Sequence, residues 1–117
     1  MKFINNPFDV IIKAVEELYP STYALIQFNP ELRGIEYGEC GCTNFPKNSN
    51  EEILIDISTN IPFEHMVEIL AHELAHVIVG ICEKDDHGEK WQNVFEAIHV
   101  KYEELIDLAE KEFDDNK

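Results

Sequence analysis

Two histidines four residues apart sit inside a segment whose apolar residues recur with a helical period, and this pairing constrains the chain more than any other feature. From Pro62 onward, Phe63, Val67, Leu70, Leu74, Val77, Ile78 and Ile81 fall on one stripe. His65, His72, Glu73 and His76 lie along its border or opposite it. Asn60 and Pro62 mark the expected start of this helix and Gly80 its stop. On a helix, positions four apart stand one turn apart on the same side, so the imidazoles of His72 and His76 can reach one metal ion. Glu73 is rotated by about 100° from His72, which can bring its carboxylate beside the same ion without making it a ligand.

Residues 72–76 read His-Glu-Leu-Ala-His, the H-E-x-x-H pattern. With 5 histidines in 117 residues, such a pattern arises by chance somewhere in a chain of this composition roughly 3% of the time. Its position on the polar border of an amphipathic helix is what raises it above coincidence. The chemistry it points to is hydrolysis at zinc, in which the ion lowers the pKa of water and the carboxylate accepts a proton as general base. A catalytic zinc needs a third protein ligand and an open position. His87 is the first candidate, eleven residues past His76 across a turn containing Gly80. Glu96 on the following helix is the second, and Asp85 and Asp86 come third.

His87-Gly88-Glu89-Lys90-Trp91 places a histidine-glycine pair after the motif and an aromatic residue three positions beyond the glycine. Together with residues 72–76, this resembles the SprT-like branch of the zincin metallopeptidases, over about residues 20–105. The resemblance implies three histidine ligands, His72, His76 and His87, with Glu73 as the base and Zn2+ as the ion. It also implies a minimal zincin-like fold. The metzincin pattern does not fit, because Gly80 is one place late and Cys82 occupies the position of its third histidine.

The rest of the chain reads as an α+β protein, a single domain over residues 1–117. Phe8, Ile11, Ile12, Val15 and Leu18 predict an N-terminal helix capped by Asn6-Pro7 and ended by Pro20. Tyr23–Phe28, Gly34–Tyr37 and Glu52–Ser58 read as short strands of a small antiparallel sheet, with turns at Asn29-Pro30, Gly38, Gly41 and residues 46–50. A long C-terminal helix carries Trp91, Phe95, Ile98, Tyr102, Leu105, Ala109 and Phe113 on one face, and its end from Glu110 is expected to fray. Trp91 is placed to hold that helix against the site.

The net charge of −15 argues against general affinity for nucleic acid or an anionic membrane, since both would repel such a surface. It would instead attract basic substrates. No run approaches the roughly 20 apolar residues of a membrane span, so a cytoplasmic protein is expected. Cys40, Cys42 and Cys82 form no disulfide framework and suit a reducing compartment. His65 reads as a surface residue and His99 as structural, and no tyrosine is singled out as an oxyanion donor. Residues 52–58 are the best match for an edge strand that pairs with an extended substrate, with Asp56 facing the cleft or solvent.

The function expected is therefore a zinc-dependent peptidase acting on a peptide or protein substrate. The alternative is a non-catalytic zincin-fold module in which zinc is structural and the acidic domain engages a protein partner.

Overall fold

The computed structural model describes residues 1–48, 50–80 and 87–115. The expected N-terminal helix is α1, Pro7–Leu18. The Asn6 side chain accepts a hydrogen bond from the Phe8 amide at 3.0 Å, so the expected cap forms, with proline in the first turn where its missing N–H costs nothing. Three strands follow, β1 (Leu25–Asn29), β2 (Gly41–Asn44) and β3 (Leu54–Ser58), and then two long helices, α2 (Phe63–Val79) and α3 (Glu89–Asp115). The architecture is α+β. Ile55 and Ile57 of β3, Ile11 and Val15 of α1, Leu70 and Leu74 of α2, and Trp91, Val94 and Ile98 of α3 share one core.

The sheet is mixed rather than antiparallel. Its order is β1-β3-β2, with β1 parallel and β2 antiparallel to the central β3. The reason lies at the end of β3. The Ser58 hydroxyl donates to the Leu32 carbonyl at 2.8 Å, and the Asn60 side-chain Nδ2 donates to the carbonyls of Pro30 and Leu32 at 3.0 and 2.7 Å. These bonds hold the chain leaving β1 across the end of β3, so β2 must start there and run back. Asn60 thus anchors this crossing rather than capping α2, whose N-cap is Pro62.

Other expectations change with the topology. Gly34–Tyr37 is not a strand: Ile35–Tyr37 is a 3-10 turn, closed by a bridge between Gly34 and Glu39. Phe63 and Phe113 leave the core and are exposed, and α3 stays helical to Asp115 instead of fraying from Glu110. His99 is exposed and pairs with Glu103 at 3.3 Å. Asp56 faces neither the cleft nor open solvent. It is 7% exposed and accepts from Gln27 at 2.6 Å and Asn44 at 3.0 Å, with the Cys42 thiol at 3.8 Å. Cys82 lies outside the described residues, and Cys40 and Cys42 are free thiols. Burial pushes the Cys42 thiol above its ordinary pKa, which makes it a poor nucleophile.

Gly41, expected in a turn, opens β2 because helix and strand meet there with no room for a side chain. A Cβ at this position would stand 2.5 Å from Ile69 Cγ2, 3.0 Å from the Asp56 carbonyl oxygen and 3.6 Å from Glu73 Cγ. Glycine inside a strand commonly marks such a close approach. Gly41→Ala is expected to lower the unfolding free energy by about 1–3 kcal/mol, the usual cost of overpacking. The measurement is the urea midpoint.

Candidate metal centre

α2 carries His72 and His76 one turn apart, and Gly80 ends the helix one turn after His76, with a φ of 84° and its amide bonded to the His76 carbonyl at 2.8 Å. The third histidine comes from the entrance to α3. Gln92 fixes that entrance by donating from its side chain to the His87 carbonyl at 3.0 Å and from its amide to the Gly88 carbonyl at 2.9 Å. The result is a nearly equilateral triangle of Nε2 atoms, with His72–His76 at 3.3 Å, His76–His87 at 3.1 Å and His72–His87 at 3.2 Å. This group could hold a metal ion.

The spacing can be tested against zinc. Tetrahedral coordination with Zn–N bonds of about 2.0–2.1 Å puts donor atoms about 3.3–3.4 Å apart. The observed triangle is within a few tenths of an ångström of that, so three imidazoles fit the ion without rearrangement. Among the described residues no fourth histidine, cysteine or carboxylate joins the group. Glu96, the second candidate ligand, is exposed and lines surface hollows with residues such as Asn93 and His99. Asp85 and Asp86 lie outside the described residues.

Trp91 forms the wall of the centre. Its ring centroid is 4.8, 5.5 and 4.7 Å from those of His72, His76 and His87, and its indole N–H donates to the His72 carbonyl at 3.4 Å. Phe95 stacks behind it at 5.0 Å with planes 11° apart. Trp91 therefore does what the sequence suggested, locking α3 to α2, and it also limits the orientations open to all three rings. Burial, with His76 and His87 close by, depresses the His72 pKa to about 4. At neutral pH that ring is uncharged, which is the form that ligates.

Glu73 is 6% exposed. Its Oε2 lies 3.7 Å from His72 Nε2, while its Oε1 accepts from the Thr43 hydroxyl at 2.9 Å. Burial raises the carboxyl pKa above the ordinary range, and the Thr43 hydrogen bond partly opposes that rise. Thr43 is a residue that sequence reading missed. It lies on β2, a four-residue strand without the usual β-branched or aromatic pattern, and the nearest signal was Gly41 two positions earlier. His65, as expected, is a surface-side residue, 3.7 Å from Glu68.

An α+β fold with paired histidines on one helix, a third at the start of the next and a buried glutamate beside them defines a zincin-like, metallopeptidase-type domain. The SprT-like family profile matches residues 16–113. The chain belongs to the SprT-like family. No curated protein and no solved structure matches it. No described helix is long and apolar enough to cross a membrane.

Proposed function

We propose that the protein is a zinc-dependent metallopeptidase that hydrolyses peptide bonds, with His72, His76 and His87 as the zinc ligands and Glu73 as the general base. The observation that carries this reading is the pairing of the Nε2 triangle with one buried carboxylate, Glu73, whose Oε2 is directed toward it. His72, His76 and His87 would hold the zinc ion, which when bound would supply Lewis acidity for lowering the pKa of water to about 7 and for polarising a carbonyl. Glu73 Oε2 is the group placed to accept a proton as general base, and burial raises its carboxyl pKa, which makes it a stronger base than a solvent-exposed carboxylate. Trp91 shields one side of the centre from solvent, and Thr43 holds Glu73 Oε1 so that Oε2 stays turned toward the histidines.

Substrate docking on residues 52–58, expected from the sequence, is ruled out by the sheet order, because β3 is paired on both sides. The edge strand beside the site is β2, which also carries Thr43. An extended substrate adding to β2 by main-chain pairing would bring its peptide bonds past the site with little sequence selectivity. The non-catalytic alternative calls for a fourth protein ligand. Among the described residues none joins the histidines.

The test is metal analysis of the purified protein together with hydrolysis of labelled casein. One zinc per chain is expected, with turnover abolished by chelation and restored by zinc. A protein that holds no stoichiometric metal sinks the proposal. A second expectation concerns Thr43: replacing it with Val should lower the rate about tenfold, the worth of one hydrogen bond to a charged group. Loss of that bond removes an interaction that lowers the Glu73 pKa, so the acid limb of the pH–rate profile should move to higher pH. Thr43→Ser should restore both rate and profile.

A further inference from the structure

Along α2, Glu64, Glu68, His72 and His76 follow at intervals of four, so two carboxylates stand in line with two of the histidines. This line borders a groove of about 280 Å³ between α1, α2 and α3, lined by Ile11, Phe63, Val67, Ala71 and Phe95. At one end Phe63, 56% exposed, continues into an aromatic surface, since the Phe8 ring lies 5.4 Å from Phe63 and 5.5 Å from Phe28. At the other end Phe95 stacks on Trp91 and lies 6.3 Å from His72. The groove therefore runs from exposed aromatics to the wall of the metal centre.

Size and charge say what it can hold. Small-molecule sites usually occupy about 300–1,000 Å³, so this groove suits a large side chain better than a whole ligand. α2 contains no lysine or arginine. Glu64 and Glu68 are exposed on the rim, Glu68 3.7 Å from His65. Lys101 of α3 is engaged elsewhere, with Glu17 and Glu104. An occupant must bring both an apolar side chain and positive charge.

We infer that this groove docks a segment of a partner protein in which lysines or arginines flank a large apolar side chain. The apolar side chain seats against Val67 and Phe95 and supplies most of the affinity. The basic residues meet Glu64 and Glu68, whose exposed charges contribute encounter rate and selectivity more than binding strength. Because Glu68 stands one turn before His72 on the same side of α2, a chain held there lies beside the metal centre, across the wall formed by Trp91 and Phe95. The partner is then a substrate, and that last step alone rests on the peptidase reading.

The test is fluorescence anisotropy on the zinc-loaded full chain, with a labelled dodecapeptide carrying Leu-Phe between two lysine pairs. A peptide with Ser-Ser in place of Leu-Phe, and one with glutamates in place of lysines, should each bind at least about tenfold more weakly. Glu64→Gln with Glu68→Gln should weaken binding of the first peptide about five- to tenfold, while Glu31→Gln with Glu36→Gln, on the exposed β1–β2 connection, should change it less than about twofold. Phe63→Ala, at a position 56% exposed, should weaken it about tenfold while the urea midpoint shows the variant still folded.

Equal binding of the Ser-Ser peptide, or equal loss in the two glutamate pairs, would mean general attraction to an acidic protein and would overturn the inference. So would a free protein that is a dimer dispersed by Phe63→Ala, since the occupant would then be a second copy. Mass spectrometry of the peptide separates the two readings. Groove-dependent binding without cleavage keeps the docking surface and counts against the peptidase. Cleavage that ignores the groove variants does the reverse.

Discussion

Glu73→Gln is expected to reduce casein hydrolysis by about 10²–10⁴-fold, the contribution of a positioned general base, while zinc content stays at that of the unaltered protein. The two halves of this expectation come from different atoms. Zinc would be held by the Nε2 triangle of His72, His76 and His87, in which the glutamate takes no part. The amide of glutamine keeps the size of the carboxylate and can still accept from the Thr43 hydroxyl through its oxygen. The second terminal atom becomes an N–H2 group, which donates and cannot take a proton. Position is conserved and basicity is lost. Inductively coupled plasma analysis for zinc and a single-turnover cleavage assay read the halves separately. Loss of zinc along with activity would place Glu73 in the coordination shell instead, and full activity would remove it from the mechanism.

The second large effect is expected at His87. Replacing it with Ala should weaken zinc binding by well over the ~10–100-fold that loss of a group supporting a ligand typically costs, measured by competition with a chromophoric chelator. His72 and His76 share one helix and would remain one turn apart, but two nitrogens on one turn leave the ion half-exposed to water. In the proposed site His87 is the residue that joins α2 to the start of α3, and Gln92 and Trp91 hold it there. Saturating zinc is expected to raise the melting temperature of the unaltered protein, and loss of His87 should remove that rise, since an ion stabilises the folded chain only as far as it binds it. Glu96→Gln serves as the control. It should leave affinity unchanged, and a drop of the same size would restore Glu96 as the third ligand.

The α1 cap, the two long helices and the placing of both helical histidines were legible because each depends on neighbours within one or two turns. Asn6 caps the amide two residues on, and His72 and His76 are set by helix geometry alone. The strands were harder. β2 was hidden because Gly41-Cys42-Thr43-Asn44 has turn-like composition, and only the press of α2 against the strand makes glycine necessary there. The parallel pairing of β1 with β3 depends on Ser58 and Asn60 catching carbonyls 26 to 30 residues away. No periodicity reports a bond of that range. The same is true of Asp56, whose burial depends on Gln27 and Asn44 reaching it from the two flanking strands.

By itself the sequence determined the helix that carries His72, Glu73 and His76, the candidacy of His87 and the acidity of the surface, because these follow from local spacing and from counting charges. Only the tertiary structure decided that the three Nε2 atoms converge at 3.1–3.3 Å, that Glu73 is buried with one oxygen tied to Thr43, and that β2 rather than β3 is the edge strand beside the site. The physical reason is that convergence requires α3 to dock on α2 through Trp91 and β2 to close on α2 at Gly41. Both are contacts between segments far apart in the chain, fixed by shape and burial rather than by any pattern along it.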